Sequence, residues 1–117
     1  MVKIKPFRGI RPPRKYAAEV ASRPYDVLNS QEAKKEATEK SLLHIIKPEI
    51  DFDPIADEHC EEVYRKAVEN FRRWRERGWL VQDDEEKYYV YAQTMDGRTQ
   101  YGLVAACHFD DYVRGRI

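Results

Sequence analysis

At 117 residues, 42 % hydrophobic and 36 % charged, the chain has the length of one domain able to bury a core of its own. Its 21 basic and 21 acidic side chains cancel, which argues against a dedicated nucleic-acid binder with its usual basic excess. Two cysteines are too few for a disulfide framework, and no apolar run approaches the ~20 residues a membrane helix needs, so a soluble, cytoplasmic α+β domain without membrane contact is expected.

The cancelled charge is unevenly placed. Before Glu19 there is no acidic residue, while Lys3, Lys5, Arg8, Arg11, Arg14 and Lys15 are all basic; Asp51, Asp53, Asp57, Glu58, Glu61 and Glu62 form an acidic stretch far from them. A chain polarised in this way can pair with a second copy, so a homodimer is one expected partner. Prolines at 6, 12, 13 and 24 hold the basic segment extended. Residues 3–10 suit a short edge strand, which tolerates Pro6, and 16–22 a brief helical piece. Asn29 or Ser30 caps a helix running to about residue 40, with Glu32 in its first turn favouring the dipole.

Leu42-Leu43-His44-Ile45-Ile46-Lys47 is an apolar run of strand length stopped by Pro48. Residues 49–57 read as a loop. The clearest helix spans 58–77: Val63, Tyr64, Ala67, Val68, Phe71 and Trp74 recur at spacings of three and four and form one apolar stripe. Arg72, Arg73, Arg75 and Arg77 crowd its last turns, and Gly78 sits where a left-handed residue ends a helix.

Residues 88–109 form a β-hairpin about Asp96-Gly97, a strong type I′ turn signal. Folding there pairs Thr94 with Thr99, Gln93 with Gln100, Ala92 with Tyr101 and Tyr91 with Gly102. Both faces of the second strand are apolar, so it is expected to be central and covered on both sides. Asp110-Asp111 then caps a short helix. The expected fold is α+β: a small mixed or antiparallel sheet from residues near 4–10, 42–47, 88–95 and 98–108, with the 58–77 helix packed against one face. Because the chain stops soon after its strongest strand, residues 1–117 read as one domain, an N-terminal fragment of a longer protein with a sticky edge.

Chemistry is sparsely signalled. His59-Cys60 and Cys107-His108 bring zinc to mind, but neighbours on a helix or strand diverge in direction, and structural zinc spaces its ligands by two or more residues. No metal is expected, and both cysteines are expected as free thiols. His44, inside the apolar run, is either a core histidine bonded to a backbone carbonyl or, with Arg98, part of a cleft beside the hairpin. The strongest constellation is Arg8, Arg11 and Arg23 with Asp26: guanidinium groups fork onto phosphate oxygens, Gly9 lets backbone N–H groups approach a ligand, and Asp26 orients an arginine or accepts a proton. The structural alternative is a proline-rich strap whose arginines pair with the acidic stretch.

Lys5-Pro6-Phe7-Arg8-Gly9 with Arg11-Pro12, Pro24-Tyr25-Asp26-Val27, Leu43-His44 with Lys47-Pro48-Glu49, and Gln93-Thr94-Met95-Asp96-Gly97-Arg98-Thr99 together resemble the N-terminal part of the domain-of-unknown-function family 1015, whose members are often labelled ParB-like or RepB-like. Members of that family run several times longer than this chain. The label points to the ParB/sulfiredoxin fold class, whose members include nucleotide-dependent enzymes. That resemblance implies Arg8, Arg11 and Asp26 near phosphates, a nucleotide with magnesium as cofactor, and phosphoryl transfer or nucleotide hydrolysis in the intact protein. No Gly-Cys-His-Arg element is present, so sulfiredoxin activity is not implied. The other reading is a non-enzymatic DNA- or protein-binding module related to partition proteins.

Overall fold

The computed structural model describes Val2–Arg116. The chain forms two compact units, one from the residues up to Ile10 together with those from Gln82 onward, the other from Arg11–Val81.

In the first unit, strand β1 (Ile4–Lys5) pairs antiparallel with β6 (Ala106–Cys107), and β4 (Tyr89–Met95) with β5 (Arg98–Val104). The short strands β2 (Ile10–Arg11) and β3 (Val81–Gln82) lie where the chain passes between the units. Every hairpin pair expected from the turn signal is present, from Tyr91↔Gly102 to Thr94↔Thr99. Asp96 at φ 52° and Gly97 at φ 78° supply the two positive angles of a type I′ turn, and the hydroxyls of Thr94 and Thr99 lie 2.8 Å apart.

The second hairpin strand is not covered. Every residue of β5 is exposed, with Tyr101 at 75 % and Leu103 at 61 %, and Val90 facing them at 72 %. The reason is topological: β5 pairs with β4 alone, and the chain then leaves it so that β6 pairs with β1. The closing helix α5 (Phe109–Val113) is capped two residues earlier than expected, where His108 Nδ1 accepts the Asp110 N–H at 3.1 Å.

The second unit is helical: α1 (Arg14–Val20), a 3₁₀ turn (Tyr25–Val27), α2 (Ser30–Glu36), α3 (Leu43–Ile46), a second 3₁₀ turn (Pro48–Asp51) and α4 (Glu61–Glu76). Asn29 begins α2 with a capping box: its side chain accepts the Glu32 N–H, and the Glu32 carboxylate accepts the Asn29 N–H. Gly78, at φ 73°, ends α4 in a Schellman motif, with Trp79 N–H donating to Trp74 O and Gly78 N–H to Arg75 O.

Residues 42–47 are a helical turn and not a strand. The run lies between two small cores. Leu43 packs with Leu28, Ala33 and Ile50, whereas Leu42 and Ile45 pack against Val20, Trp74, Trp79 and Leu80. Two directions separated by i and i+3 are the geometry of a helix, and N–H groups 46 and 47 bond the carbonyls of 42 and 43. The packing partners of α4 are α3 and the Pro48–Asp51 turn, not a sheet. Val63 and Trp74 are buried as the stripe predicts, but Tyr64 and Val68 are exposed and Asn70 is fully buried in their stead. No helix among the described residues is long and apolar enough to cross a membrane.

Candidate functional site

The residues of the basic strap are largely engaged by the protein itself. In the first unit, Arg8 donates from Nε to the Asp83 carbonyl at 2.8 Å. Gly9 donates its N–H to the Tyr89 hydroxyl at 2.7 Å, and that hydroxyl donates in turn to Asp83 Oδ2 at 2.5 Å. A Cβ on Gly9 would meet the Tyr89 ring and hydroxyl at 2.7 Å. The glycine therefore admits a tyrosine, and its N–H bonds that tyrosine's hydroxyl.

In the second unit, Arg23 forks onto Glu36, with Nη2 2.7 Å from Oε1 and Nε 3.2 Å from Oε2. Glu36 raises the arginine's pKa, first through those hydrogen bonds. Asp26 lies on the Tyr25–Val27 turn, exposed and without a hydrogen bond or ion pair to any described residue. Arg11 ends β2, and Arg98 opens β5 at the exposed hairpin tip opposite Met95.

His44 sits on α3, tied on both nitrogens. Nε2 lies 2.8 Å from the Thr38 carbonyl and Nδ1 2.5 Å from Asp51 Oδ1. A carbonyl and a carboxylate are both acceptors, so both nitrogens must donate, and the ring is held as imidazolium. The Asp51 hydrogen bond is the main cause raising the His44 pKa. Burial pushes the Asp51 carboxyl up, but the bonds from His44 and Asn70 outweigh it and hold it below the usual range. Asn70 Nδ2 donates to Asp51 Oδ2 at 2.8 Å and to the His44 carbonyl at 2.6 Å. This is a structural lock between α3, α4 and the Pro48–Asp51 turn. Its signal in the sequence was Asn70 itself, a polar residue four positions before Trp74 on the buried stripe.

The feature that reasoning from sequence missed is a cleft of 530 Å³ in the first unit, lined by Lys3, Lys5, His108, Asp110, Arg114 and Arg116 among others. The pairs Ile4↔Cys107 and Lys5↔Ala106 bring the chain at Lys3 to the end of β6, next to His108. The turn after α5 brings the two arginines. Arg116 is balanced by Asp111 at 3.3 Å. Lys3, Lys5 and Arg114 have no carboxylate partner among the described residues. Lys3 and Lys5 were visible as charges; their meeting with residues 108–116 depends on a strand pairing a hundred residues apart in the chain. Cys60 and Cys107 are free thiols, and no group of three metal-ligating side chains occurs among the described residues.

Residues 4–117 match the family described as Protein of unknown function (DUF1015). The chain belongs to that family. The matched range covers the residues of the strap, the His44 lock and the hairpin. No curated protein matches the chain, and no solved structure does.

Proposed function

We propose that the chain is a binding domain for a small phosphate-bearing molecule, a nucleotide or a phosphorylated metabolite, in a cytoplasmic protein of ParB/sulfiredoxin type. Phosphoryl transfer or nucleotide hydrolysis, with magnesium when the ligand is a nucleotide, would then belong to the intact protein. The observation that carries this reading is the first-unit cleft, where Lys3, Lys5 and Arg114 have no carboxylate partner among the described residues. Asp110 and Asp111 also line the cleft and offset part of its positive charge, and an oxyanion seated on Lys3, Lys5 and Arg114 would accept charge-assisted bonds from them. Arg8, in the same unit but outside that cleft, has terminal nitrogens that bond no described residue; Asp26, in the helical unit, is an exposed carboxylate able to accept a proton there. Arg23 is already neutralised by Glu36 and would have to leave it to hold a phosphate.

A second reading, a protein-binding module without enzymatic activity, is favoured by the open apolar face of the hairpin, Val90, Tyr101 and Leu103. Equal numbers of basic and acidic residues disfavour DNA. The experiment is a binding titration of the whole chain with inorganic phosphate, pyrophosphate and nucleotides, with and without magnesium. Arg114→Glu and Lys3→Glu should each weaken binding about tenfold or more. Absence of binding by the unaltered chain, or affinities unchanged in both variants, refutes the phosphate reading.

A further inference from the structure

Lys47 and Glu49 flank Pro48 at the start of the second 3₁₀ turn and are 7 % and 2 % exposed. Lys47 Nζ lies 3.7 Å from Glu49 Oε1, beyond hydrogen-bonding range. Neither side chain makes a hydrogen bond to any described residue. A charge withdrawn from water this far is normally hydrogen-bonded on several sides, because an ion pair alone does not repay the lost hydration. Here an ammonium with three donors and a carboxylate with several lone pairs keep a little solvent contact and bond no described residue. Both line a cavity of 410 Å³, with Tyr25, Glu58, His59 and Val63 among its other walls, at the small end of the ~300–1,000 Å³ range of ligand pockets.

The polarity of the pair selects its ligand. A simple anion seated on Lys47 lies against the like charge of Glu49, and a simple cation on Glu49 lies against Lys47. A molecule that carries a carboxylate and, on the adjacent carbon, a hydrogen-bond donor places an acceptor and a donor a few ångströms apart, which matches the pair with opposite polarity. Glu58, half-exposed beside His59 at 3.4 Å, adds a second carboxylate and favours a positively charged donor.

We propose that this cavity binds a small carboxylate bearing an α-amino or α-hydroxy group, its carboxylate on Lys47 and its donor on Glu49. The site shares no residue with the phosphate cleft, lies in the other unit, and stands or falls independently of it.

Calorimetric or NMR titration of the whole chain with alanine, lactate, acetate and methylamine tests the assignment. Alanine or lactate should bind, each about tenfold or more tighter than acetate or methylamine, and Lys47→Met should abolish that binding. Glu49→Gln and Glu58→Gln separate the two sources: both weaken alanine more than lactate if the natural ligand is an amino acid, and affect the two alike if it is a hydroxy acid. Because Glu58 is exposed, its variant reports even if the buried substitutions unfold the chain. No saturable binding of any of the four probes at millimolar concentration overturns the proposal. So does acetate binding as tightly as alanine and lactate, or a folded Lys47→Met variant that binds like the unaltered chain.

Discussion

Replacing His44 by alanine tests the lock that joins α3, α4 and the Pro48–Asp51 turn. The substitution removes two hydrogen bonds, to Asp51 and to the Thr38 carbonyl, and the ring that packs 5.7 Å from Trp74. Hydrogen bonds of charged groups contribute ~1.5–3 kcal/mol each, so the pair sets an upper bound of ~6 kcal/mol. The side chains of His44 and Asp51 are 20 % and 17 % exposed, so the abandoned carboxylate recovers part of its hydration and keeps its bond from Asn70. A loss of about 3 kcal/mol near pH 6 is the expected outcome.

The sign with pH follows from the two shifts. His44 is raised above its ordinary value, so its contribution is complete below ~6.5 and is lost as pH climbs through the raised folded value. Asp51 is lowered, so its contribution is present above ~3.9 and is lost as pH falls through the depressed value. Lys66, on α4, opposes the His44 charge and limits its shift. Urea unfolding followed by tryptophan fluorescence is the assay, because the two tryptophans, Trp74 and Trp79, both belong to the helical unit. The unaltered chain should lose stability between pH 6 and 9, and the His44→Ala chain should be flat there. An equal midpoint for the unaltered chain at pH 6 and 9, or a His44→Ala cost under ~0.5 kcal/mol, would show that the imidazolium is not what holds the turn.

Three further outcomes are expected. Gly9→Ala should destabilise the chain by ~1–3 kcal/mol by driving a methyl into Tyr89, and Tyr89→Ala in the same chain should remove most of that increment; additive effects of the two changes would contradict the contact. Gly78→Ala has open space but a φ of 73°, so thermal unfolding should show a loss of only ~1 kcal/mol from backbone strain. Val90→Lys with Leu103→Lys should leave stability within ~0.5 kcal/mol because both residues are already in water. The same pair of changes should reduce binding of an apolar dye and any self-association seen by light scattering. A large drop in melting temperature would instead mean that the hairpin face is covered in solution.

Local order along the chain was sufficient for the hairpin and for the ends of α2 and α4. The Asp96-Gly97 turn sets every cross-strand pair through backbone angles two residues apart, Asn29 and Glu32 cap each other across one turn, and Gly78 closes α4 through bonds spanning five residues. Partners distant in sequence decided the rest. Residues 42–47 have the composition of a strand, yet they bond helically because two cores pull Leu43 and Leu42/Ile45 in different directions. Arg23 gains its partner only when α2 delivers Glu36 to it, and Gly9 only when Tyr89 closes on it from 80 residues away. The same physics hides the sites proposed here. Lys3 and Lys5 meet Arg114 only through the β1–β6 pairing, and Lys47 and Glu49 become unusual only once folding takes them out of water. A charge in a sequence carries no record of its burial or of its counter-charge; packing supplies both.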